Sequence, residues 1–189
     1  FYDSKPQIYA QIRQAIAEGK RIYIGVEGQK IESKYGTQNV ESDVVKYLQQ
    51  ELGIDESQVQ VRVLRIDSES INDPNHPAYK SLECLQETFQ NGGFQVLLAS
   101  PTLSSAVSLD RPELFDECFY IGNGLHSVAG VRQALNRVRQ PVDRHIFVPQ
   151  RSSSKFGNGS CQWLGIHSGK LHTLSSLVHG IEEKDFDPN

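Results

Sequence analysis

The segment Phe94 to Ala99, Phe-Gln-Val-Leu-Leu-Ala, carries apolar side chains on both of its faces. A strand of that kind must be covered on both sides, which is the situation of a central strand in a parallel sheet. Apolar residues at helical spacing run through Lys5 to Glu18 (Ile8, Ile12, Ala15, Ile16) and Val40 to Leu52 (Val44, Val45, Leu48, Leu52), and Gly19 and Gly53 close them. Further strands are expected at Arg21 to Glu27, Val59 to Ile66, Leu114 to Ile121 and Arg144 to Val148, and further helices at Ala78 to Gln90 and Ser127 to Val138. Helix and strand thus alternate through five strands. Such alternation implies right-handed crossovers, and the expected fold class is α/β: three layers, with a mainly parallel sheet flanked by helices on both faces. In open sheets of this type ligands bind beyond the carboxyl ends of the strands, here the loops after Glu27, Ile66, Ala99 and Ile121.

At 189 residues, 38% of them apolar and 22% charged, the chain has the profile of a soluble globular protein with a core that needs neither metal nor disulfide. Residues 1–149 read as one domain. Residues 150–189, rich in Ser, Gly and His with a candidate helix at Leu171 to Ile181, read as an appendage or the start of a following segment. No apolar run reaches the roughly 18 residues of a membrane span, and Phe1 to Lys20 lacks the layout of a signal peptide. No membrane association and a cytoplasmic location are therefore expected. Cys84, Cys118 and Cys161 stand far apart with no CxxC pair, as reduced thiols do, and His167, His172 and His179 match no ligand spacing, so no metal site is expected. The chain has no methionine and reads as a piece of a longer protein.

The net charge of −4 hides an asymmetry. Between Gly130 and Lys155 stand six basic residues, Arg132, Arg137, Arg139, Arg144, Arg151 and Lys155, against Asp143 alone, which makes this window +5 and leaves −9 for the remainder. On a helix Gln133 and Arg137 would share a face, with Arg139 near the end that Pro141 terminates. Guanidinium groups at a helix end suit a polyphosphate, because the planar fork binds phosphate oxygens in a bidentate way. The stretch after the expected central strand, Ser100 to Asp110, supplies six hydroxyl or carboxylate side chains, an ordinary loop composition that here follows a buried strand.

Together these segments resemble superfamily 2 helicases. Gln133-x-x-Asn136-Arg137-x-Arg139 resembles their motif VI, and Leu98 to Asp110 looks like motif V, ending in the aspartate that the family places there. Asn136 and Ala106 replace glycines common in those motifs, and the arginine spacing is one residue shorter than the commonest form. The match runs from Lys5 to Val148. The segments Gly28 to Thr37, Arg65 to Ser70, Asp73 to Pro77 and Pro141 to Ile146 are similar to the helicase part of the cyanobacterial plasmid replication-protein family. The resemblance implies a RecA-like second motor domain, the C-terminal half of an ATP-dependent DNA helicase or translocase acting in plasmid-type replication. It implies Arg139 as arginine finger with Arg137 beside it on the γ-phosphate side, and Gln133 and Asp110 as cofactor-binding residues. Ser33, Lys34, Thr102, Ser104 and Ser105 would contact the nucleic-acid backbone.

What the sequence lacks bears on what this piece can do alone. Ser168-Gly169-Lys170-Leu171 has neither the hydroxyl nor the earlier glycine of a phosphate-binding loop, and no acidic pair ends an apolar strand as a magnesium site requires. ATP and Mg2+ would therefore be held mainly by an absent first motor domain, and the piece alone should be inactive. Single-stranded or unwinding DNA and that first motor domain are the implied partners. The alternative is a non-catalytic nucleic-acid or protein docking module derived from a motor domain.

Overall fold

The computed structural model describes residues 1–28, 35–60, 62–100, 107–124 and 128–149. The expectations placed on Ser33, Lys34, Thr102, Ser104, Ser105 and residues 150–189 lie outside the described residues.

Five strands, β1 (Ile22–Val26), β2 (Val63–Ile66), β3 (Val96–Ala99), β4 (Glu117–Ile121) and β5 (Asp143–Phe147), form one sheet in the order β2-β3-β1-β4-β5. Every pairing is parallel, and β1 sits at the centre with Ile24 opposite both Leu98 and Phe119. Strand side chains alternate between faces, and the core divides accordingly. Ile22, Ile24, Val26, Leu98 and Phe119 face helices α1 (Lys5–Ala17) and α2 (Thr37–Gln50). Tyr23, Leu64, Leu97, Cys118 and Tyr120 face α4 (Leu85–Asn91) and α5 (Val128–Leu135). The result is a three-layer α/β fold of the RecA-like kind. Among the described residues no helix is long and apolar enough to cross a membrane.

Local chemistry sets the ends of these elements. The first turn of α1 holds Pro6, whose missing N–H is not needed there. Gly19 closes the same helix at φ +76°, a conformation that costs glycine little, with N–H bonds from Gly19 and Lys20 back to Ile16 and Ala15.

Three expectations need correction. The strand expected from Val59 begins only at Val63, because Glu56–Gln60 forms a short helix α3 whose first turn is held by Asp55: its carbonyl accepts from the amides of Gln58 and Val59. Val59 still joins the core, from a helix instead of a strand. The helix expected over Ala78 to Gln90 is a 3-10 turn, Ser81–Cys84, running into the shorter α4. Leu114 and Phe115 are buried as expected but precede β4, which starts at Glu117.

Leu98 is fully buried on the central layer, so Leu98→Ala should lower stability by about 2–5 kcal/mol through lost contacts and a residual cavity. Leu52, 38% exposed beyond the end of α2, should tolerate the same change within about 0.5 kcal/mol. Urea unfolding midpoints of the two variants check the contrast.

Candidate functional site

Helix α5 stops at Leu135, short of the expected Val138. Asn136 and Arg137 still donate to the helix carbonyls of Arg132 and Ala134, but the chain then turns toward Leu109. The Leu109 amide donates to the Arg137 carbonyl at 2.8 Å, and the Arg139 amide donates to the Leu109 carbonyl at 3.1 Å, forming an isolated parallel bridge between Leu109 and Val138. Both side chains at the bridge are fully buried, and that burial draws the chain out of the helix. Gln133 and Arg137 therefore do not share a helix face. Gln133 stays on α5, exposed, while Arg137 lies past its end.

The bridge brings together the two segments that carry Asp110 and the arginine pair. It also gives the arginines different roles. Arg137 turns inward and donates from its guanidinium to the Val107 carbonyl at 3.3 Å, while its buried Nε has no hydrogen-bond partner among the described residues. Its charge lies close to the Tyr23 phenol, whose pKa burial raises, and the Cys118 thiol adds to that rise while Arg137 opposes it. Arg144 spans the turn from the far side, donating to the carbonyls of Val138, Gln140 and Val142 at 2.9, 3.1 and 3.1 Å. Arg139 is exposed, and among the described residues its side chain has no ion-pair partner. Of the basic cluster, then, Arg137 and Arg144 satisfy carbonyls and Arg139 presents its charge outward.

Asp110 and Arg139 line one hollow of about 690 Å³ with Glu113, Asp116 and Asp143. Asp116 immediately precedes β4 and Asp143 opens β5, so this hollow lies at the amino ends of the strands. The hollow shared by Asp110 and Arg139 is thus not at the carboxyl ends, where the ligand-binding loops are expected. The reason is the bridge, which ties the chain at Leu109 to the far end of α5.

Sequence reasoning missed two glutamines that fix this arrangement. Gln86 on α4 donates to the Ser108 carbonyl and to Asp110, and accepts from the Arg111 amide. Gln140, buried beside Arg139, donates to the Arg111 carbonyl and accepts from the Phe115 amide. Glutamine on a helix or in a turn gives no motif, and its partners are mostly backbone atoms that a sequence does not display.

At the carboxyl ends, Glu27 is buried and accepts from the Tyr120 hydroxyl at 3.1 Å and the Asn123 amide at 2.6 Å. A Cβ at Gly122 would come within 3.0 Å of Glu27 Oε1, so glycine lets the backbone pass there. Asp67, also buried, accepts from the Thr37 hydroxyl at 2.6 Å and caps the turn that follows β2 through the amides of Glu69 and Ser70. A second hollow of about 420 Å³ beside β2 contains Arg65, Glu41 and His76. Arg65 lies within 3.4–3.9 Å of Glu41, Asp67 and Glu69, so its charge is matched inside the protein. Burial, reinforced by Arg65, lowers the His76 pKa, and burial raises that of Glu41. Burial also pushes the Cys118 thiol up to about 12, leaving it unreactive at neutral pH. Among the described residues no group of His, Cys, Asp and Glu could hold a metal ion.

No family model matches the chain. It is similar to an uncharacterized protein of Picosynechococcus sp., with 34% identity over 185 residues, covering 96% of this chain and 17% of that protein. The chain thus spans about a sixth of the length of the curated relative it matches.

The contrast between the arginines is measurable without any assay of activity. Arg137→Ala should lower stability by about 1–2 kcal/mol, the worth of a buried stem and its carbonyl bond. Arg139→Ala should stay within about 0.5 kcal/mol of the parent. Urea unfolding of the two variants decides between these roles.

Proposed function

We propose that this chain is the second motor domain of a superfamily 2 type, ATP-dependent DNA helicase or translocase acting in plasmid-type replication in the cytoplasm. The observation that carries this reading is the juxtaposition of Asp110 with an exposed Arg139 that has no ion-pair partner among the described residues, across the Leu109–Val138 bridge. The motif resemblance supports it, as does the RecA-like fold.

In this reading the chemistry is transfer of a phosphoryl group to water, in which positioning and charge stabilisation supply the rate. ATP with Mg2+ supplies the transferred phosphoryl group and would be held mainly by a first motor domain. The residues here fit that role at one edge only. Four carboxylates line the hollow with Arg139 and would repel a polyphosphate from it, so only the exposed guanidinium would meet phosphate charge. Arg139 would place its planar fork on charge that develops in the transition state. Arg137, which the resemblance implies on the γ-phosphate side, is instead engaged with the Val107 carbonyl and would act by fixing the turn that carries Arg139. Asp110 would link the motif V segment to the nucleotide cleft, and Gln133 would sense the nucleotide. Thr102, Ser104, Ser105, Ser33 and Lys34 would meet the DNA backbone.

The acidity of the same hollow also favours a second reading, a docking module that has lost turnover and binds a basic surface of another replication protein. The parent protein separates the two. Arg139→Ala should cut single-turnover ATP hydrolysis by roughly 10³- to 10⁵-fold while leaving nucleotide affinity nearly intact, and Arg139→Lys should fail too. The isolated chain should fold and show no hydrolysis. A parent whose turnover ignores Arg139→Ala rejects the motor reading.

A further inference from the structure

The side chain of Gln86 makes three hydrogen bonds, all to one four-residue stretch. Its Nε2 donates to the Ser108 carbonyl at 3.3 Å and to Asp110 Oδ1 at 3.2 Å, and its Oε1 accepts from the Arg111 amide at 2.8 Å. Both amide hydrogens and the carbonyl are engaged, which also fixes the orientation of the group, since the oxygen faces a donor and the nitrogen faces two acceptors. The base of this arm is rigid: the flanking Leu85 and the nearby Phe89 are buried in the core.

On the other side of Asp110 stands Arg139. The two side chains line the same hollow, and the Arg139 amide is bonded to the carbonyl of the residue before Asp110. A carboxylate and a guanidinium so placed attract each other, yet no ion pair joins them among the described residues. Exposed ion pairs are weak, because solvent screens them and two side chains must be ordered, so a well-anchored neutral donor is enough to decide where the carboxylate points.

We propose that Gln86 is a positioning residue that holds the Asp110 carboxylate on the α4 side of the hollow and so keeps the Arg139 charge available. Its importance for turnover rests on the motor reading above; its effect on Arg139 does not. Without Gln86, Asp110 turns to Arg139 and forms the pair that neutralises it. Gln140 secures the same segment through backbone atoms alone and leaves the carboxylate untouched.

The test on the isolated chain is the rate at which phenylglyoxal, which attacks unpaired guanidinium groups, modifies Arg139, followed by mass spectrometry. Gln86→Leu should slow that modification several-fold. In an Asp110→Asn background the same substitution should have no effect, an interdependence that mere loosening of the loop would not produce. Gln86→Asn, which keeps the amide but shortens its reach, should behave as Gln86→Leu does, and serves if the leucine variant fails to fold. In the parent protein Gln86→Leu should lower single-turnover hydrolysis roughly tenfold at unchanged nucleotide affinity, again only when residue 110 is Asp. An unchanged Arg139 modification rate in a folded Gln86 variant overturns the proposal. If instead Gln86 governs Arg139 reactivity but Arg139→Ala spares turnover, the positioning role stands and the motor reading falls.

Discussion

Two backbone hydrogen bonds, from Leu109 to the Arg137 carbonyl and from Arg139 to the Leu109 carbonyl, hold together stretches that lie far apart in the chain. Much of the candidate site depends on them. A helix that ends must find partners for its last carbonyls and a direction for the chain that leaves it. Here the direction is set by two fully buried side chains, Leu109 and Val138, and the carbonyls beyond the helix are taken by Arg144. Arg137 and Arg139, two residues apart and on opposite sides of Val138, are thereby sent to opposite environments, one beneath the bridge and one into solvent. A regular strand would send residues two apart to the same face, so it is the turn the chain makes on leaving α5, and not strand alternation, that separates them.

The sheet makes this possible by being filled on both faces. With β1 between β3 and β4, each strand contributes alternate residues to two separate apolar clusters, and the loops at both strand ends are left to carry polar groups. The two ends differ in character. Glu27 and Asp67 at the carboxyl ends are buried acids with hydrogen bonds from neighbouring hydroxyl and amide groups, fixed in place. Asp110, Glu113, Asp116 and Asp143 around Arg139 are exposed, and they surround a cation that has no ion pair among the described residues.

The layering was legible in the sequence because burial on both faces leaves a continuous apolar string, as in Phe94 to Ala99, and because helical spacing marks Ile8, Ile12 and Leu48 unambiguously. Asp110 and Arg139 could be singled out in the sequence through a motif resemblance. That the two line one hollow was not legible, since the Leu109–Val138 bridge that brings their segments together joins single residues and has no periodicity to display. The different fates of Arg137 and Arg139 were equally hidden: helical spacing misplaced both, because the pull of buried Val138 on the backbone outweighs local helix preference. Gln86 and Gln140 could not have been found, as both act chiefly on main-chain atoms.

The N-terminal segment meets β5 at one bridge, Tyr2 with Phe147, in which the Tyr2 amide donates to the Ile146 carbonyl and the Tyr2 hydroxyl meets His145 Nδ1 at 2.8 Å. The pairing is parallel. Tension applied between Phe1 and Pro149 would therefore draw Tyr2 and β5 along one another in opposite senses, straining both contacts at once in shear instead of peeling them in turn. Mechanically, the described domain is clasped where its chain enters beside the last strand, and a load carried through the polypeptide meets that clasp before it reaches the central sheet.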